Sequence, residues 1–193
     1  MAAWRDDDDP VEQAFFVDSG SRGTAAIGQV HFSGLDHLAG MPVAVLAAGG
    51  VIPDMVVTET GELTLPANAV PANATYTYAI GLPYTATCVT LPPEIKLNGQ
   101  TQQGKRQRLI RIALRLLGTL GLTVGANDGY LDELIDRPGD SYMDEPIPLF
   151  SGTTNKAVGG AWDQLGQGTF VSSDPLPATI LCAMPTIDIE PAR

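Results

Sequence analysis

The chain has 193 residues, a net charge of −11 and 44% hydrophobic residues, which suits one domain, or one domain with extended arms, and is enough apolar content for a core. No apolar run reaches the roughly 20 residues of a membrane-spanning helix. Met1-Ala2-Ala3-Trp4-Arg5 ahead of Asp6 to Asp9 lacks the basic and apolar regions of a secretory signal, so synthesis in a cytoplasm is the expectation. Two cysteines, Cys88 and Cys182, are too few for a disulfide framework; each sits in an apolar strand-like run and reads as a free, buried thiol.

Glycine (21) and proline (15) are spread along the whole chain, with short runs rich in Val, Ile, Thr, Tyr and Phe between them. That is the pattern of an all-β protein with many turns. Residues 1–13 read as an acidic N-terminal arm and 14–193 as a single β-rich domain. In chain order, strands are expected at 14–17, 29–33, 42–48, 55–58, 62–65, 75–82 and 85–91. Glu59-Thr60-Gly61-Glu62 joins two of them as a hairpin turn, with Gly61 free to take positive φ. Residues 66–74 form a polar loop whose two prolines exclude a central strand.

The run Lys105 to Leu117 fits two templates. With period two, Ile110, Ile112, Leu114 and Leu116 share one face, and Leu109, Arg111, Ala113 and Arg115 the other. With helical period, Arg108, Arg111 and Arg115 form a polar stripe. Gly104 before the run, and Gly118, Gly121 and Gly125 after it, favour one long strand over 106–118. Between about 123 and 155 the pattern weakens into a loop or arm excursion. It has turn chemistry at Asn127-Asp128-Gly129 and Arg137-Pro138-Gly139-Asp140, and one short helical turn over 130–135. Strands resume at 169–173 and 178–184. No internal repeat is visible, which argues against a propeller or solenoid made from this chain alone. The expected fold is all-β, a β-sandwich or distorted barrel with Greek-key-like connections, extended arms and at most short helices.

Charge is unevenly placed. Six basic residues and no acidic one lie between Lys96 and Arg115, against five basic and twenty-two acidic residues elsewhere. A net acidic surface repels DNA, since affinity for DNA comes from neutralised phosphates. The basic window also lacks the aromatics that stack on single-stranded bases. Arg106, Arg108, Arg111 and Arg115 therefore read either as a solvated strand face or as a strip that meets the acidic surface of an identical neighbour. Repeated around an axis, such heterologous contacts build a ring. In the excursion, Tyr130, Asp132 and Glu133 are the candidate contacts with a neighbouring subunit.

Little in the chain asks for catalysis. Asp6 to Asp9 lack the glycine turn of a calcium loop and read as a solvated arm. Asp128-x-x-x-Asp132-Glu133 lacks a histidine or third acid at ligand spacing. His31 and His37 flank a turn at Gly34, His31 on a strand and His37 where it can hydrogen-bond a loop carbonyl. No nucleophile elbow, phosphate-binding loop, dinucleotide fingerprint or zinc spacing occurs. No catalytic residue, metal site or cofactor is assigned, and an enzyme is not expected.

Two stretches carry a resemblance. The first is His31-Phe32-Ser33-Gly34-Leu35-Asp36-His37-Leu38-Ala39-Gly40, followed by the apolar Met41 to Ala47. The second is Ile80-Gly81-Leu82-Pro83-Tyr84, then Thr90-Leu91-Pro92-Pro93-Glu94. With Glu12 to Gly20, the basic strand, Leu120 to Gly125, Gly160-Ala161-Trp162 and Ser173 to Leu181, they stand in one order. That order resembles the distal, C-terminal part of the tail nozzle (tail tubular protein B-like) family of short-tailed bacteriophages. Nozzle proteins are several times longer, with a propeller-like portion before this region. The resemblance implies a structural virion protein of the tail, a ring of six copies, tail partners such as an adaptor or fibre, and DNA only as transiting cargo during ejection. It makes Asp36 and His37 a structural corner. The alternatives are a host-surface or carbohydrate-binding β module using Tyr76, Tyr78, Tyr84, Phe150 and Trp162, or a capsid decoration protein.

Overall fold

The structure, a computed structural model, describes residues 11–94, 96, 97, 100, 101, 104–126, 130–134, 146–163 and 165–190. These residues are all-β: the strands pair antiparallel, and the helical segments are three-residue 3-10 turns. They form two compact units, each with its own core. One is drawn from the described residues among 1–85, 137–149 and 173–177, the other from those among 86–136, 150–172 and 178–193. The sequence alone reads 14–193 as one β-rich domain, and these two units divide that span. The strand run before Pro83 packs in the first core and the run after it pairs with a strand of the second unit, while the assignment of 173–177 to the first unit is long-range packing that local composition does not encode. Of the expected acidic arm, residues 1–10 lie outside the described residues, while Val11–Gln13 forms a 3-10 turn with Val11 buried. The turns expected at 127–129 and 137–140 also lie outside them.

The first unit contains β1 (Asp18–Ala25), β2 (His31–Phe32), β3 (Pro42–Ala47), β4 (Gly50–Val56), β5 (Leu63–Thr64) and β6 (Tyr76–Leu82). Four of these form a sheet in the order β1-β6-β3-β4, and β2 pairs with β5. The uninterrupted apolar run Val43 to Ala47 supplies a central strand, and Val45 stands opposite Ile80 with both side chains wholly buried. Phe32 packs on Tyr78 with ring centroids 4.6 Å apart, beside Leu63 and Val57. The strand expected at 14–17 begins instead at Asp18. The sequence Asp-Ser-Gly-Ser-Arg-Gly-Thr-Ala has little strand propensity, and its ladder to β6 makes it a strand. The strand expected at 55–58 lies earlier, because Pro53 sits on an edge strand, where a missing N–H is tolerated.

Tyr76 is buried, and its hydroxyl donates to the Gln29 carbonyl. Burial, helped by Tyr78, raises its pKa above the usual tyrosine value. The folded state therefore favours the neutral phenol. The associated stability is fully present below about pH 10 and is lost as pH rises through the folded-state pKa. Unfolding free energy measured in urea is expected to decline above about pH 10, with a shallower decline in Tyr76→Phe. An equal decline in the two proteins would contradict this role for Tyr76.

The second unit contains β7 (Ala86–Val89), β8 (Lys96–Leu97), β9 (Gln100–Thr101), β10 (Gln107–Thr119), β11 (Leu122–Ala126), β12 (Asp132–Glu133), β13 (Phe150–Ala157), β14 (Gly168–Ser172) and β15 (Ile180–Ile189). One sheet has the order β13-β10-β15 and the other β12-β11-β14-β7, while β8 and β9 pair alone. The core draws Leu109, Ile112, Leu114 and Leu116 from β10, Leu122, Val124 and Ala126 from β11, and Phe170 from β14. It is thus a two-sheet sandwich, with the β10–β11 turn carrying the chain from one sheet to the other. The basic run is the long strand expected, but its alternation slips once. A register shift against β15 between Leu109 and Arg111 buries Leu109 and leaves Ile110 half-buried, the reverse of strict period two. The excursion expected over about 123–155 holds most of β11, all of β12 and most of β13, and Asp132–Glu133 is strand rather than helical turn. Cys88 and Cys182 are free but exposed, not buried: Cys182 stands opposite Arg115, which projects away from the core, and Cys88 lies on the edge strand β7, whose four residues are all exposed.

Candidate subunit interface and structural corner

The corner begins in the pattern Gly-Leu-Asp-His-Leu-x-Gly. Leu35 and Leu38 are buried in the first core while Asp36 and His37 stay exposed, which fits a single 3-10 turn over Asp36–Leu38. The Leu35 amide donates to the Gly61 carbonyl at 3.0 Å, and the Gly40 amide to the Val57 carbonyl at 3.0 Å. His37 Nε2 donates to the Ser19 carbonyl at 2.9 Å, tying the turn to β1. Gly61 has φ +70°, and a Cβ there would lie 2.8 Å from the Asp36 amide nitrogen. The hairpin turn is in place too, with the Thr58 amide donating to the Glu62 carbonyl at 2.9 Å. Asp36 and His37 thus sit where two turns and a strand meet. In the second stretch, Gly81 is a point of close approach, since a Cβ there would lie 2.7 Å from Gly20 Cα.

The structure divides the four arginines. Arg106 is exposed and its Nη2 lies 3.4 Å from the Trp162 carbonyl. Arg108 bonds Asp188 at 2.9 Å and lies over the Trp162 ring at 5.1 Å, so it is engaged within its own unit. Arg111 and Arg115 project from the sheet face opposite the core and have no ion-pair partner among the described residues. Directly opposed residues of a ladder share a face. That face therefore carries Arg111 between Ala157 and Thr186, Ala113 between Asn155 and Met184, and Arg115 between Thr153 and Cys182. Sequence reasoning missed the Arg108–Asp188–Trp162 cluster, because its three members are far apart in the chain.

This division has a measurable consequence. Arg108→Ala removes a half-exposed ion pair and a cation–π contact, and is expected to cost about 1–2 kcal/mol in urea unfolding. Arg111→Ala and Arg115→Ala are expected to stay within about 0.5 kcal/mol of the parent. Equal losses at all three positions would contradict the division.

Tyr130, Asp132 and Glu133 are exposed. Asp132 and Glu133 lie at the edge of the β12-β11-β14-β7 sheet, and Lys156 Nζ donates to the Glu133 carbonyl at 2.8 Å. The five aromatics of the alternative reading do not gather within either unit. Tyr76 is buried, Tyr78 packs on Phe32, and Phe150 packs against the second core. That leaves Tyr84 exposed in the first unit and Trp162 partly exposed in the second, under Arg108. The first unit has an open cavity of about 290 Å³ beside β2 and β5, lined by His31, Phe32, Ser33, Glu62, Leu63 and Thr64. There His31 Nδ1 and Thr64 Oγ1 are 2.9 Å apart.

Among the described residues, no group of three or more His, Cys, Asp or Glu side chains is placed to hold a metal ion. No helix among them is long and apolar enough to cross a membrane. Compared with known proteins, the chain matches no family model and no curated sequence.

Proposed function

We propose that this chain is a structural subunit of a bacteriophage tail, at the nozzle or tail-tube ring, made in the host cytoplasm and carried in the virion. The observation that carries the reading is the pair Arg111 and Arg115. They stand on an exposed sheet face without an ion-pair partner among the described residues, in a chain of net charge −11. Such a strip complements the acidic surface of an identical neighbour, and repetition of that contact closes a ring. The ordered motifs support the same reading, because the Gly34 to Gly40 corner is used for packing between turns and a strand. Tail partners such as an adaptor or fibre belong to the proposal, as does DNA passing through as cargo past acidic surfaces.

Sedimentation velocity of the purified chain tests the ring. The expected result is a species of several copies at low ionic strength that dissociates as salt rises. The charge reversals Arg111→Glu and Arg115→Glu together are expected to abolish it. A monomer at every salt concentration would contradict the reading.

A further inference from the structure

Edge strands expose unpaired backbone groups, and four of the six edges of the three larger sheets among the described residues are blunted. β1 carries Asp18, Arg22, two glycines and a register shift; β4 carries Pro53 and an Asp54 at φ +57°. β13 carries Gly152 and Lys156, and β12 is two acidic residues long. β7 has none of these devices. Its residues Ala86, Thr87, Cys88 and Val89 are all exposed, and Leu91, just beyond, is 86% exposed. No charged residue occurs between Glu62 and Glu94. β15 is the other open case. Its first half, Ile180 to Met184, is uncharged, with Leu181 and Met184 exposed, and Pro185 limits the free edge to that half.

We infer that β7 is a docking edge for a second copy of this chain, and that the strand it receives is the first half of the neighbour's β15. The inference deepens the ring reading and rests on it. The Arg111 and Arg115 strip draws together copies that each carry net charge −11, and pairing along uncharged edges lets their strands meet without opposing carboxylates. Both edges are apolar and free of charge, and they are different surfaces. Their pairing is therefore heterologous and continues from copy to copy. Each edge also bears one of the chain's two cysteines, Cys88 on β7 and Cys182 on β15, both exposed. Main-chain hydrogen bonds of this strand-addition kind supply the affinity.

The backbone geometry gives a clean block. The Thr90 amide donates to the Gly168 carbonyl at 2.9 Å. Alternation along an antiparallel ladder then turns the Cys88 and Ala86 amides toward β14 and the Thr87 and Val89 amides outward. Thr87→Pro removes an outward donor and spares the β14 ladder.

The test is thiol cross-linking of the purified full chain with a short bis-maleimide, read on denaturing gels. The parent is expected to give a ladder of dimer, trimer and higher species. Cys88→Ser and Cys182→Ser are each expected to abolish it, and Thr87→Pro to reduce it to background with an unchanged circular dichroism spectrum. A ladder that survives Thr87→Pro overturns the inference, and so do cross-linked dimers in Cys182→Ser, which would mean β7 meeting β7. A chain that sediments as a ring but gives no ladder overturns the strand pairing alone. A chain that sediments as a monomer overturns the ring reading as well.

Discussion

Leu114→Ala is expected to lower the unfolding free energy by about 2–5 kcal/mol. Leu114 is wholly buried in the second core, beside Ile112 and Leu116 of its own strand and the side chains of β11 and β14. β10 has ladders on both sides, to β13 and β15, so the backbone around the cavity has little freedom to collapse. Urea unfolding reads the loss as a lower midpoint at unchanged slope. Hydrogen exchange localises it to the amides of β10 and its neighbours. Arg111→Ala, on the opposite face of the same strand, is the control and stays within about 0.5 kcal/mol. If the arginine variant were as costly as the leucine variant, the assignment of the two faces would be wrong.

Gly61→Ala is expected to cost a similar amount, about 2–5 kcal/mol, by a different route. A residue with a Cβ at φ +70° is strained by about 1–2 kcal/mol. The new Cβ would also stand 2.8 Å from the Asp36 amide nitrogen and 2.9 Å from its Cα, and crowding of this kind costs about 1–3 kcal/mol more. Gly28 separates the two terms. It has φ +67°, and a Cβ there would meet no atom within 4 Å, so Gly28→Ala should show the strain alone, about 1–2 kcal/mol. Equal losses at the two glycines in urea unfolding would mean that the corner yields without cost and that Asp36 is not held by the hairpin.

The strands legible in the sequence are those that carry their own apolar pattern. Val43 to Ala47, Tyr76 to Leu82 and the long basic strand are central or long, and burial of their side chains selects them. β1 and β13 were hidden for the opposite reason. Asp-Ser-Gly-Ser-Arg-Gly-Thr-Ala and Phe-Ser-Gly-Thr-Thr-Asn-Lys-Ala are polar edge strands with only half of their residues exposed, held as strands by the ladder to a neighbour remote in sequence. The slip at Leu109 is equally non-local, since period two in the sequence cannot show a bulge set by the register against β15. The division into two units depends on which core each strand joins.

The candidate site was legible to the extent that it is local. The turn at Asp36 and His37 follows from two glycines and two leucines at fixed spacing, and its closure by Gly61 follows from a separate hairpin. The arginine spacing placed Arg111 and Arg115 on one face. It did not reveal that Arg108 is held by Asp188 and Trp162, because that cluster forms only when β15 and the loop at Trp162 come back to β10. The exposure of Cys88 and Cys182 was hidden by the apolar character of the strands that carry them, which normally marks burial.

The central claim is that the chain is built into a phage tail. Immunogold electron microscopy tests it most directly, using purified virus particles from the source of the chain and antibody raised against it. Gold at the tail, around the tube or at its distal end, is the predicted result. Gold over the head, or none on intact particles whose tails are accessible to antibody, would contradict the account.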